Sequence, residues 1–239
     1  MARQRWCGTA VARPQITQVL DTLESFYGTL HPTAPTDPYE FLIWWHCGYP
    51  PSEQRCAKGW QALSDQIGIT PKRLISSTSA KLAAALAAGG LVPTVRAERL
   101  QEIATRVVGE HAGDLRSSLA RLPAAQARRL LKTFPGIGNP GADRILLFAR
   151  IEPVAAVPSA CPHVLVRVTQ GSVGDKYAAT YSAAQQMQDA LPATFDARIR
   201  GYLLLSRHGR DLCRPANPAC QRCPLRAPCA FAKGAKKQQ

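Results

Sequence analysis

Apolar residues recur every three or four positions through most of this chain, and that period predicts helix nearly everywhere. Asp37-Pro38-Tyr39-Glu40 reads as a capping box with proline at the first helical position, opening the apolar run EFLIWWHC. SEQRCAKGWQALSDQIG and KLAAALAAGG follow, the second ending on glycines that suit a helix C-terminus. In VRAERLQEIATRVV, Val95, Leu100, Ile103 and Val107 fall at helical spacing. DLRSSLARL, AQARRLLKTF, DRILLFAR, YAATYSAAQQMQDAL and ARIRGYLLLSRHG continue the series. Short β-branched runs such as HVLVRV are the strand candidates, and they are too few to build a sheet. The expected fold is all-α, without an internal repeat or low-complexity segment.

Composition sharpens this picture. At 239 residues, 46% hydrophobic and 19% charged, the chain can bury a sizeable core as one large domain or two smaller ones. No apolar run approaches the roughly 20 residues of a membrane span. The N-terminal MARQRWCGTAVARP is basic but has no apolar core of signal-peptide length, so a cytoplasmic protein without a membrane partner is expected. The formal net charge is +14, from 30 Lys plus Arg against 16 Asp plus Glu. This excess is clustered. Residues 121–150 carry Arg121, Arg128, Arg129, Lys132, Arg144 and Arg150 against Asp143 alone, and the segment from Arg198 onward is also strongly basic. A polyanionic partner, nucleic acid before membrane, follows from that pattern.

The stretch LLKTFPGIGNPGADRILLF carries the first candidate site. One amphipathic helix runs into Phe134, then Pro135-Gly136-Ile137-Gly138, and a second helix begins. Asn139 is a good N-cap and Pro140 a good first helical residue. The two glycines let the backbone turn tightly and approach a surface, and Ile137 between them can plug into the core. Amides at the start of the second helix would then suit a phosphate.

Near the C-terminus, Cys213, Cys220, Cys223 and Cys229 follow one another with six, two and five residues between them. Without a secretory signal, disulfides are disfavoured, and four thiols in one loop suggest a metal. Zinc sites are usually built from two close cysteine pairs. Here only Cys220 and Cys223 form one, a spacing that would also wrap a [4Fe–4S] cluster. Both metals remain open on spacing alone. Cys7, Cys47 and Cys56 stand outside this loop.

Taken together, PGIGxxxADxILLFA and RxHGRDLCxxxxPxCxxCPL resemble endonuclease III and its relatives in the helix–hairpin–helix DNA glycosylase superfamily, over roughly residues 35–230. The resemblance implies base-excision repair on duplex DNA and a [4Fe–4S] cofactor held by the four cysteines. It also implies two helical lobes. A helical barrel would span 35–150 and contain the hairpin; residues 1–34 with 151–239 would form a cluster domain around the loop at 213–229. A monomer is expected.

The chain departs from that family where the chemistry lies. In bifunctional members the second residue after the hairpin's last glycine is a lysine that attacks the sugar C1′. Here it is Pro140, and nothing in its spacing offers Lys132 as a replacement. The aspartate of the family's Val-Asp-Thr-His-like stretch, which stabilises a cationic sugar or activates water, falls in VPSACPHV. Cys161, or Ala160 under a different alignment, takes its place, while His163 matches the histidine. Asp143, Cys161 and His163 are the candidate catalytic residues, each with a structural alternative. In place of the family's glutamine-bearing loop the chain reads HCGYPPSEQR, which puts Tyr49 where a side chain would enter the duplex. The alternative is a tyrosine covering Trp44 and Trp45. The expected DNA contacts are therefore Pro135, Gly136, Ile137, Gly138 and Tyr49. The expected function is a monofunctional DNA N-glycosylase acting on damaged or modified bases, or else a catalytically inactive damage-binding protein of the same fold.

Overall fold

Asp37 caps its helix as the sequence predicts: its Oδ1 accepts the amides of Tyr39 at 2.9 Å and Glu40 at 3.1 Å. A computed structural model describes residues 15–50 and 52–235; Cys7 lies outside them. The described chain is helical throughout. Its first half contains α1 (Ile16–Tyr27), α2 (Pro38–His46), α3 (Glu53–Gln66), α4 (Pro71–Ser76), α5 (Ser79–Leu86), α6 (Pro93–His111) and α7 (Leu115–Ala120). Then come α8 (Ala124–Leu131), α9 (Asn139–Phe148), α10 (His163–Gln170), α11 (Tyr177–Asp189), α12 (Phe195–Asp211) and α13 (Ala230–Ala235). Among the described residues the only extended pairing is an isolated bridge between Tyr49 and Gly90.

Two larger apolar cores, with a small third one of Val157, Val166, Tyr181 and Ala184, organise these helices. The larger gathers Phe41, Leu42 and Ile43 of α2 with Leu100, Ile103 and Val107 of α6 and Ile145, Leu146 and Leu147 of α9. The second joins Val19, Leu20 and Leu23 of α1 to Val164 and Leu165 of α10 and Leu204 and Leu205 of α12. Helix α12 serves both, because Tyr202 reaches the larger core and meets Phe148 edge-on, ring centres 5.0 Å apart.

Three local expectations need revision. HVLVRV is helical, in α10, with every residue from His163 to Val168 buried. Packing on all sides overrides the strand preference of its valines. Asn139 is the first residue of α9 rather than its cap; Gly138 holds the cap position. Val95 is exposed, while the residue after it, Arg96, is 2% exposed.

The expected iron–sulfur cluster domain is also not found. Among the described residues, no group of three or more His, Cys, Asp or Glu is arranged to hold a metal ion. The loop of Cys213, Cys220, Cys223 and Cys229 is held instead by hydrogen bonds. Arg167 donates to the carbonyls of Arg214 and Pro215, both at 2.7 Å, and His163 Nε2 donates to the carbonyl of Cys213 at 2.7 Å.

Arg96 organises the first half of the molecule. Its Nε donates to the carbonyl of Leu91 at 2.9 Å, Nη1 to Cys47 at 2.7 Å, and Nη2 to Leu86 at 2.8 Å and Gly90 at 2.9 Å. One side chain thus ties the end of α2 and the Tyr49 loop to the turn between α5 and α6. Arg96→Met fills the volume but leaves buried carbonyls unpaired, so it should destabilise the protein by about 3 kcal/mol or more. Urea unfolding checks this.

Candidate nucleic-acid interface

The hairpin between α8 and α9 is built by three constraints. Ile137 is buried in the larger core, which anchors the tip. Gly136 has φ +68°, a conformation glycine adopts freely, and a Cβ there would come within 3.1 Å of the His46 ring. Gly138 has φ −97°, and a Cβ there would make only ordinary contact with Pro140 at 3.7 Å, so its requirement is weaker. From the other side, His46 donates from Nε2 to the carbonyl of Pro135 at 2.8 Å. Burial pushes the His46 pKa down to about 4, outweighing that bond, so the ring is neutral near pH 7. Gly136, Gly138 and Asn139 lie exposed. The first amides of α9, without intrahelical partners, begin beside them.

Beside the hairpin runs a groove of about 380 Å³ whose walls include His46, Tyr49, Val92, Val95, Arg99 and Gly136. Tyr49 is 45% exposed and Leu91 62% exposed. The two residues sit side by side because the Tyr49 amide donates to Gly89 at 3.1 Å and the Leu91 amide to Tyr49 at 3.0 Å. Tyr49 lines the groove together with Trp45, and with Leu91 on the joined segment it forms an exposed prong next to the hairpin.

On the hairpin's inner side lies a cavity of about 170 Å³, walled by Phe41, Trp45, Pro140, Arg144, Ser159 and Tyr202 among others. None of the three candidate catalytic residues lines it. Asp143 is 1% exposed; its carboxylate accepts from Arg128 Nε at 2.6 Å, Gln185 Nε2 at 3.1 Å and the Tyr181 hydroxyl at 3.4 Å. Burial raises its pKa above the usual carboxylate range, while Arg128 pulls it back. Asp143 thus ties α8, α9 and α11 together. Cys161 is buried, its pKa pushed up to about 12 by desolvation. His163 is spent on the Cys213 carbonyl. From VPSACPHV it is Ser159 that reaches the cavity.

No family model matches the sequence. Endonuclease III of Thermotoga maritima is 26% identical over 196 residues, 82% of this chain and 84% of that protein. Among solved structures, a non-covalent endonuclease III–DNA complex aligns with a TM-score of 0.73 at 20% identity, covering 95% of this chain and 99% of that one. A thermostable thymine-DNA glycosylase aligns with a TM-score of 0.70 at 19% identity, covering 92% and 97%. The chain has the endonuclease III fold.

The expected [4Fe–4S] site is not found within this fold: among the described residues no group of three or more His, Cys, Asp or Glu is placed to hold a metal ion. Cys213, Cys220, Cys223 and Cys229 border one small cavity, with Arg167, His208 and Phe231 among the other residues around it. Three of the four sulfurs contact protein groups. Arg167 Nη1 lies 3.7 Å from Cys213 Sγ, His208 Nε2 lies 3.5 Å from Cys223 Sγ, and Cys229 Sγ donates to the Arg167 carbonyl at 3.7 Å. Burial raises the pKa of Cys213, and that of Cys223 to about 11. Neither the [4Fe–4S] cofactor nor zinc is supported by these residues.

Leu91 and Arg144 were not singled out by sequence reasoning as site residues. Leu91 follows the glycine pair Gly89-Gly90 and reads as a helix terminus. Arg144 carries a legible signal: it precedes ILLF by one position and falls four residues before Phe148, placing a cation at the edge of an apolar face.

Gly136→Ala should force an alanine into a left-handed conformation against His46, costing about 1–2 kcal/mol, and weaken binding to every duplex. Gly138→Ala should leave thermal stability near that of the parent. Melting curves with duplex titrations check both. His46 gives a pH prediction. Its folded pKa of about 4 lies below the ordinary 6.5, so the unfolded chain binds the extra proton between these values. The stabilisation is fully present above pH 6.5 and lost as pH falls towards 4, by up to about 3 kcal/mol. His46→Gln, which can still donate to Pro135, should flatten that part of the stability profile measured by urea unfolding.

Proposed function

We propose that the protein acts on duplex DNA as a base-excision-repair glycosylase, gripping the duplex between a lobe of residues 35–150 and a second lobe of residues 1–34 with 151–239. The observation that carries this reading is the placement of an exposed helix–hairpin–helix tip beside the Tyr49–Leu91 prong on an endonuclease III fold. Backbone amides at the hairpin would hold a phosphate without regard to sequence. The prong would enter the base stack at the place a nucleotide leaves it. The fold is shared with endonuclease III and a thymine-DNA glycosylase, and the basic character of the chain suits a polyanion.

The cavity favours hydrolytic base release over lyase chemistry, because Pro140 offers no amine to attack C1′. A release assay over duplexes carrying single deaminated, oxidised or alkylated bases is the deciding experiment. Loss of one base type, leaving an abasic site, supports the reading; loss of none across the panel rejects catalysis.

One observation favours a second reading, a damage-binding protein without catalysis. Among the described residues, no carboxylate, thiol, imidazole or amine lines the hairpin cavity, and Asp143, Cys161 and His163 all lie among other partners. Tight binding to lesion-bearing duplexes without base release would establish it.

Borohydride trapping gives a further prediction. No covalent protein–DNA complex should form on any substrate, and abasic products should break only on alkali treatment. A trapped band lost on replacing one lysine would overturn this.

A further inference from the structure

Arg144 is an arginine without an acid. The neighbouring ion pairs are made by other arginines, Arg128 with Asp143 and Arg150 with Asp196, and among the described residues Arg144 forms none. Its guanidinium carbon lies 4.8 Å from the ring centre of Phe41, 5.4 Å from Tyr202, 5.5 Å from Phe148 and 5.7 Å from Trp44. The rings hold the cation by their π faces; one N–H turns to the Tyr202 hydroxyl, and the guanidinium has further donors beyond that one. Among the described residues, Arg144 is also the one charged residue lining the 170 Å³ cavity beside the hairpin.

The walls decide what those donors would meet. A phosphate needs several converging donors and keeps much of its hydration, whereas Phe41, Trp45 and Tyr202 offer flat apolar surface. Such surface suits a planar heteroaromatic ring, which stacks on aromatic side chains whatever its identity. A guanidinium at the edge of that ring adds discrimination. Its planar fork pairs with two adjacent acceptors, as at O6 and N7 of guanine. Adenine puts an amino donor in place of one of them.

We propose that this cavity receives an everted base, and that Arg144 selects a purine edge with two neighbouring acceptors, of the guanine O6/N7 type. The assignment rests on the DNA reading above and adds a base preference to it. Pro140 and Ser159, at the other walls, carry no charge that would compete for that edge.

The test uses the full chain and two duplexes that differ at one position, with guanine or adenine opposite a tetrahydrofuran abasic analogue. An unpaired base is the least costly to evert. Fluorescence anisotropy at fixed salt should show the guanine duplex bound about ten-fold or more tightly than the adenine duplex. Arg144→Lys keeps the charge and loses the fork, so it should erase the preference while retaining affinity for an intact duplex. Arg144→Gln supplies the donor–acceptor pair that matches adenine and should reverse the preference. Melting curves establish that both variants fold.

Equal affinity of the parent for the two duplexes overturns the assignment, as does a preference that survives both substitutions. An equal loss on intact duplexes and on those with the abasic analogue overturns it too, since that marks a phosphate contact; the DNA reading would then stand. Failure of the parent to bind any duplex removes the DNA reading and this assignment together.

Discussion

A guanidinium buried without a carboxylate is costly unless its donors are satisfied, and Arg96 satisfies them on backbone carbonyls of three separate segments. The ends of α2 and α5 and the turn entering α6 cannot move independently while those bonds hold. The consequence reaches beyond the arginine. His46, one residue before the bonded Cys47, is fixed in place and in turn holds the Pro135 carbonyl. Arg96 therefore sets the Tyr49 loop directly and the hairpin at one remove. The two parts of the candidate interface share a common support.

The same logic governs how positive charge is spent. Arg128 looks available for phosphate in the sequence, yet it serves Asp143, which also accepts from α11. Arg200 bridges Asp21 and Glu24 of α1, and Arg198 pairs with Asp189. Much of the cationic excess is thus structural, bonded across helices. Arg129 and Lys132 are exposed beside the hairpin, and Arg99 lines the adjoining groove. A polyanion would meet this smaller set.

The helical architecture was legible because helix period and capping chemistry are local. Asp37 caps α2, and Ile137 is buried as its place between two glycines suggests. In α6 Leu100, Ile103 and Val107 are buried, but the head of the stripe lies one residue after Val95. Arg96, Leu100, Ile103 and Val107 follow the four-three-four spacing of a buried stripe, but a charged residue at its head disguises the pattern. Only the structure shows carbonyls converging to receive it. The candidate site was legible as a hairpin and as an aromatic loop. Leu91 was not, because its proximity to Tyr49 arises from a bridge between segments distant in sequence. The cysteine spacing carried an inference about metal that rests on resemblance, and the side-chain environments of those thiols do not support it. Asp143 illustrates a further limit: it lies three residues after Pro140 on the same helix, but its orientation depends on Arg128, Tyr181 and Gln185 from other helices.

The bridge between Tyr49 and Gly90 gives the prong a fixed gauge. Both side chains stand on backbones clamped to each other and, through Arg96, to the body of the protein. On the proposed reading, a duplex pressed against this rigid fork would have to yield before the protein does. The work of deformation then falls on the base stack, and a step already loosened by damage or mispairing would give way where a sound one resists. Discrimination would begin as a mechanical test of the DNA, before any atom of a lesion reached a pocket.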